Sequence, residues 1–106
     1  MTKSILPSPL SRPWPVEIRR HRDRRHLTII WDDGLTRRFS AEYLRVNSPS
    51  AEVQGHGPGQ KVHVTGKENV EILSVEPIGA YAVRLTFDDM HATGIYDWDW
   101  FRNQAE

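Results

Sequence analysis

The chain contains no cysteine. That excludes disulfides, thiolate nucleophiles, and zinc or iron–sulfur centres held by cysteine. Net charge is lacking too: 14 Lys and Arg offset 14 Asp and Glu, so no global field draws the chain to nucleic acid or a membrane surface. No apolar run reaches the length needed to cross a bilayer. Prolines 7, 9, 13 and 15 interrupt any apolar stretch of a signal peptide. A soluble cytoplasmic protein is the expectation. Only 38% of the 106 residues are apolar, which predicts one domain with a modest core and little room for a deep enclosed active site.

Charge is balanced only in sum. Residues 1–45 hold ten Lys and Arg against five Asp and Glu, and residues 46–106 hold four against nine, or +5 against −5. Opposite charges facing each other across one small domain account for this most simply; head-to-tail association or a charged partner is the alternative.

Aromatic residues, by contrast, are concentrated. Phe87, Tyr96, Trp98, Trp100 and Phe101 are half of the ten in the chain and fall within Phe87–Arg102. That stretch has a weaker echo at Trp31–Arg45. Both copies run aromatic, Asp-Asp, turn and strand residues, aromatic, then aromatic-apolar-Arg. One residue inserted in the second turn brings Tyr43-Leu44-Arg45 into register with Trp100-Phe101-Arg102. The pattern predicts two hairpin-plus-helix units and a small α+β domain of antiparallel β-hairpins with two short helices.

Taken in order, residues 1–15 read as a flexible proline-rich tail that Trp14 could pin to a domain spanning 16–104. Val16–Arg20 alternates as a half-buried strand does. Leu27–Trp31 and Leu35–Phe39 flank Asp32-Asp33-Gly34, where Asp-Gly suits a tight hairpin. Ser40 fits a helix N-cap for Ala41–Arg45. Gln54–Gln60 is a glycine-rich loop, and Val62–Val64 a short strand. Glu71–Pro77 and Tyr81–Phe87 form a second hairpin, Ile95-Tyr96 a third strand, and Asp97 caps a last helix.

Candidate chemistry is sparse. Asp32-Asp33 and Asp88-Asp89 point to opposite faces of their strands and suit turn hydrogen bonding better than acid–base work. Arg19–Arg25 reads as a solvated basic turn, with phosphate or nucleic-acid contact as the alternative. Trp31 belongs to the core rather than to a stacking platform. Gly55-His56-Gly57-Pro58-Gly59 lacks the third glycine of a dinucleotide fingerprint. It is the best loop for contacting a partner. His56, His63 and His91 are too scattered for a metal site to be read from spacing. Ser48 and Ser50 have no nearby His–acid arrangement.

Tyr43-Leu44-Arg45-Val46-Asn47-Ser48-Pro49-Ser50-Ala51-Glu52-Val53 with Gly55-His56-Gly57, and Asp88-Asp89-Met90-His91 through Asp97-Trp98 to Arg102, resemble the γ-butyrobetaine hydroxylase-like N-terminal domain family over about residues 15 to 103. In the hydroxylases of that family the domain precedes a 2-oxoglutarate/iron oxygenase barrel and carries a structural zinc. Bacterial forms are free-standing or fused to ATPases implicated in iron–sulfur cluster assembly. The resemblance implies zinc-ligand positions at Ser48, Ser50, Val53 and His91. Only the histidine keeps a ligand here, so no stable tetrahedral site is expected. Hydroxylase activity does not transfer, because the resemblance covers only the N-terminal domain. Asn47, Ser48 and Ser50 are expected to hold the 45–60 segment by side-chain-to-backbone hydrogen bonds instead.

The expectation is thus a non-catalytic protein-interaction module with no resident cofactor. It would be accessory to iron–sulfur assembly or a 2-oxoglutarate oxygenase system, with partner contacts at Asn47, Ser48, Ser50, Gln54, His56 and Gln60. The alternatives are a zinc- or iron-binding protein using His91 and its neighbours, or phosphate and nucleic-acid binding through Arg19–Arg25.

Overall fold

Each half of the molecule turns on the same five-residue pattern of backbone hydrogen bonds. In the first, Trp31 carries the carbonyl that accepts from Gly34 N at 3.0 Å, while Trp31 N donates to Leu35 O at 2.8 Å. In the second, Phe87 O accepts from Met90 N at 2.9 Å and Phe87 N donates to His91 O at 3.0 Å. Gly34 and Met90, at the matching position, both have positive φ, 93° and 73°.

Around these turns the computed structural model, which describes residues 13–55, 59 and 63–104, builds a small α+β domain. Strands β1 (Pro15–Arg20), β2 (His26–Trp31) and β3 (Thr36–Ser40) form one antiparallel sheet in that order, and helix α1 (Ala41–Val46) follows. After helix α2 (Ala51–Gln54), strands β4 (Ile72–Ile78), β5 (Ala82–Phe87) and β6 (Gly94–Asp97) form a second sheet with the same order, and helix α3 (Trp98–Arg102) closes the chain. Helices this short do not persist alone and depend on capping and tertiary packing. Ser40 Oγ accepts from Tyr43 N at 3.0 Å and Asp97 Oδ1 from Trp100 N at 2.8 Å, so α1 and α3 carry equivalent N-caps.

The repeat is larger than a hairpin and a helix. Trp14 N donates to Asp32 Oδ1 at 3.0 Å and Asp32 N to Trp14 O at 2.8 Å. Glu71 and Asp88 make the same two bonds, at 3.0 and 2.9 Å. Both outer strands then break register at matching positions, between Pro15 and Glu17 and between Ile72 and Ser74. The repeating unit is three strands and a helix. Trp14 is thus bonded to the β2–β3 turn, and of the segment read as a tail residues 1–12 lie outside the described residues.

The halves share one core. Leu27, Ile29, Trp31, Phe39 and Leu44 pack in the same cluster as Ile72, Leu85, Phe87, Tyr96 and Phe101. Phe39 meets Phe101 with centroids 5.4 Å apart, and Tyr96 meets Trp100 edge-on at 4.9 Å. Burial of each such side chain contributes about 1.5–3 kcal/mol. Trp31 is core, as expected, with the Arg102 guanidinium 5.1 Å over its ring.

Two expectations need correction. A third helix, α2, stands in the 45–60 segment, beyond the two helices expected. Its start is set by Ser50 Oγ accepting from Glu52 N at 3.1 Å, a local bond with no periodicity to announce it. Of the strand expected at Val62–Val64, residue 62 lies outside the described residues, and His63 and Val64 are not in a strand. No helix among the described residues is long and apolar enough to cross a membrane.

Candidate functional site

Helix α1 ends at Asn47, whose Nδ2 donates to Tyr43 O at 3.1 Å. Pro49 prevents continuation, and Ser50 restarts the chain as α2, which carries Glu52 toward the second half. The β5–β6 turn delivers His91 to the same place. Its backbone N donates to Asp89 Oδ1 at 3.1 Å, so the turn aspartate orients the histidine. Ser48 Oγ then lies 2.9 Å from His91 Nε2, and His91 Nδ1 lies 3.1 Å from Glu52 Oε1. A carboxylate can only accept, so Nδ1 carries the proton and the Ser48 hydroxyl donates to Nε2. Ser48 Oγ accepts in turn from Ser50 N at 3.2 Å, Ser50 Oγ pairs with Thr93 Oγ1 at 2.6 Å, and Gln54 Nε2 donates to Ser48 O at 2.8 Å. Asn47, Ser48 and Ser50 do hold this segment by side-chain-to-backbone bonds.

Charge around the cluster is arranged in layers. Asp89 Oδ2 accepts from Arg45 Nε at 2.8 Å and from Lys67 Nζ at 2.6 Å. Burial alone would raise the Asp89 pKa, but Lys67, the His91 amide and Arg45 together hold it at about 2. Burial lowers the His91 pKa and nearby Arg45 adds to this, against the opposing pull of Glu52 and Asp89. The imidazole is therefore held neutral. Burial also raises the pKa of Tyr96, whose hydroxyl donates to Leu44 O at 2.6 Å.

Ser48, His91 and Glu52 stand in the order of a serine nucleophile, its base and an orienting acid. The fold thus supplies the His–acid arrangement that the sequence reading did not find, because residues 43 and 39 apart meet only in three dimensions. Access is what this relay lacks. Ser48 is fully buried, and a Cβ placed on Gly94 would come within 2.6 Å of Ser48 Oγ and 2.9 Å of the Tyr96 ring. An electrophile cannot reach Oγ through that packing.

The donor set does not fit the zinc that the resemblance implies. Ser48, Ser50 and His91 converge, but two of these offer neutral hydroxyls, and the fourth position, Val53, is a buried aliphatic. Both imidazole nitrogens are engaged by protein groups. The side chains of Ser48, Ser50 and His91 all have hydrogen-bond partners, although Nη1 of the adjoining Arg45 is buried without one, and no group of three metal-ligating side chains occurs among the described residues. Hydrogen bonds fill the positions that ligands would take.

Of the surface expected to meet a partner, Ser48 and Ser50 are buried and bonded inward, Asn47 and Gln54 are half-buried, and His56 and Gln60 lie outside the described residues. The basic turn is partly engaged within the domain: Arg20 Nη1 donates to Ile72 O at 3.2 Å and Leu73 O at 2.6 Å, and Arg25 Nη1 to Asn69 Oδ1 at 3.4 Å.

A different surface stands out, where the repeat departs from its own symmetry. At one junction between halves, Ile72 N donates to Arg24 O at 2.7 Å, beside Ala41 N donating to Arg25 O at 2.7 Å. At the matching junction Trp98 N donates to Tyr81 O at 3.3 Å. Pro15 occupies the place of Ile72 there and has no N–H to give. Ala80 O accepts instead from Trp98 Nε1 at 3.0 Å. The junction that is closed on one side is thus open on the other, as a groove of about 300 Å³ lined by Pro13, Trp14, Ala80, Tyr81, Asp97, Trp98 and Asp99. Trp14 and Trp98 meet edge-on at 6.2 Å, yet Trp14 remains 48% and Tyr81 58% exposed. Sequence reading missed this groove because its aromatics come from three separate stretches of the chain. The only signal was Trp14, an aromatic standing among prolines.

Comparison with known proteins identifies relatives of this chain in sequence and in fold. The family model described as gamma-butyrobetaine hydroxylase-like, N-terminal matches residues 18–102. A crystal structure of a protein of unknown function of the DUF971 family, from Acidithiobacillus ferrooxidans, is 41% identical, with a TM-score of 0.69 over 83% of this chain and 88% of that one. A solution structure with 43% identity has a TM-score of 0.73 over 92% of this chain and 73% of that one. Another, also 43% identical, has a TM-score of 0.69 over 85% and 70%. Among curated proteins, no relative matches the chain.

Proposed function

The chain belongs to the gamma-butyrobetaine hydroxylase-like N-terminal family, and from that premise we propose that it is a non-catalytic protein-interaction module. The observation that carries this reading is the open groove of Trp14, Tyr81 and Trp98. Large aromatic side chains left in water are costly to keep there and are the residue types that dominate binding energy at protein interfaces. The polar cluster around Ser48 and His91 supports the same reading from the other side. It is packed shut and hydrogen-bonded internally, the form of a structural staple rather than of a reacting centre. The first partners to examine are those the family resemblance implies, an iron–sulfur-assembly ATPase and a 2-oxoglutarate oxygenase.

The test is site-specific crosslinking in the native cell. A photoreactive phenylalanine replaces Tyr81 in the groove or Met90, which is 77% exposed and outside it. A discrete protein adduct from position 81 and none from position 90 supports the module. Absence of any protein adduct at position 81 overturns it.

A further inference from the structure

We propose that the Trp14–Tyr81–Trp98 groove takes an extended, proline-containing peptide segment that carries a basic side chain. This rests on the interaction-module reading and adds the chemistry of the partner.

Three features of the groove point to that ligand. First, its walls are flat rings presented on edge and face. Trp14 and Trp98 stand at an interplanar angle of 73°, with Tyr81 exposed beside them. Rings set this way make a ridged apolar surface on which the pyrrolidines of a polyproline II segment can pack, and such a segment loses little conformational entropy on binding. Second, the backbone lining the groove has little left to offer a pairing strand. Ala80 O is taken by Trp98 Nε1, Tyr81 O by Trp98 N, and Trp14 O by Asp32 N. A ligand that needs a ladder of main-chain hydrogen bonds is poorly served, whereas a polyproline II ligand needs few. Third, Asp97, the N-cap of α3 whose Oδ1 accepts from Trp100 N, and Asp99 in its first turn bring two carboxylates to one wall of the same groove. Their charge complements a cation on the ligand, with an arginine able to reach both an aromatic face and a carboxylate.

Other candidates are weaker. The relay of Ser48, His91 and Glu52 is sealed by Gly94 and Tyr96. The hollow beside Lys67 and Asp88 is lined by groups already paired across it, including Lys67 with Asp89. Neither points to an outside ligand as the aromatic groove does.

The test uses the full chain and a blocked decapeptide of proline pairs separated by single leucine and arginine residues. Calorimetry measures affinity, and nitrogen-15 NMR follows the indole N–H signals. Trp14→Ala with Tyr81→Ser should weaken binding at least about tenfold, the scale of losing an aromatic anchor. The Trp14 backbone bonds to Asp32 persist in that variant, and unchanged thermal unfolding confirms folding. Asp97→Asn with Asp99→Asn should weaken binding severalfold and remove its salt dependence, since Asn still caps α3. In the wild type, the Trp14 and Trp98 indole signals should shift on titration.

An alanine-and-glycine decapeptide of equal charge that binds as tightly overturns the proposal. So does binding that the groove variants leave intact, or a groove occupied only by a second copy of the chain. If position 81 crosslinks a partner in cells while the proline peptide fails to bind, the peptide chemistry falls and the interaction module stands. If neither is seen, both fall.

Discussion

Arg45 and Asp89 belong to opposite halves of the repeat and are joined by a 2.8 Å bond from Nε to Oδ2. Their counterparts reciprocate: Arg102, at the end of the second unit, donates from Nη1 and Nη2 to both oxygens of Asp33, at 3.2 and 2.9 Å, in the turn of the first. Each helix terminus thus holds the turn of the other unit. The two sites differ in depth. The Arg45 and Asp89 side chains are 13% and 20% exposed, against 28% and 39% for Arg102 and Asp33.

That difference sets the first prediction. Arg45→Ala leaves a partly buried Asp89 with Lys67 as its one cationic partner among the described residues, beside the His91 amide, and we expect a loss of about 2 kcal/mol in urea unfolding. Arg102→Ala removes a surface pair and should cost less. Equal losses would mean that depth does not govern the two sites.

Acid should unfold the protein in two stages. The folded pKa of His91 lies below its ordinary value, so the folded state disfavours the imidazolium. Its contribution is complete above the unfolded pKa of about 6.5 and is lost as pH falls toward the folded value. Asp89, at about 2 against a usual 3.8, contributes above 3.8 and loses this as pH falls toward 2. Stability measured by denaturant titration from pH 7.5 to 2.5 should decline first below about 6.5 and again below about 3.8. His91→Gln should flatten the first decline and leave the second.

Met90 adopts φ 73°, where the first unit has Gly34. A side chain in this left-handed region costs about 1–2 kcal/mol, offset in part by the added freedom glycine brings to the unfolded chain. Met90 is also exposed, so little packing is lost. Met90→Gly should raise stability by about 0.5–1 kcal/mol, read as a higher denaturation midpoint with unchanged slope.

Gly94→Ala should do the reverse. The added methyl would lie 2.6 Å from Ser48 Oγ, and the cluster has no space to yield. A loss of about 1–3 kcal/mol is expected, with the His91 ring signals displaced in NMR spectra. Ser48→Ala, which keeps the packing but strips His91 Nε2 of its partner, should cost about 1–3 kcal/mol.

The composition of the cluster predicts that protein purified without a tag and without added metal carries zinc far below one equivalent per chain. Elemental analysis provides the check. Stoichiometric zinc that is lost on His91→Ala would contradict the assignment of Ser48, Ser50 and His91 to a hydrogen-bonded staple.

Local signals carried much of this architecture. Trp31-Asp32-Asp33 and Phe87-Asp88-Asp89 are contiguous, as are Tyr43-Leu44-Arg45 and Trp100-Phe101-Arg102, so the hairpins, the caps at Ser40 and Asp97 and the repeat itself could be read directly. The outer strands escaped that comparison. Trp14 and Glu71 share no side-chain chemistry, and their equivalence lies only in backbone bonds to Asp32 and Asp88. The same holds for function. Glu52, Ser48 and His91 form a relay through contacts 39 and 43 residues apart, and the groove lies at the junction where Pro15 corresponds to the Ile72 that donates its N–H at the other. The meaning of that proline becomes visible only when the two junctions are compared.

The interaction reading stands or falls on partner capture through the groove. Immobilised wild-type protein and the folded Trp14→Ala, Tyr81→Ser variant are exposed to native cell extract at equal loading. The partner first identified by its crosslink to position 81 is then quantified by mass spectrometry and retested as purified protein. The account predicts at least about a tenfold loss of that partner from the variant in both settings. Equal recovery by the two proteins would contradict it.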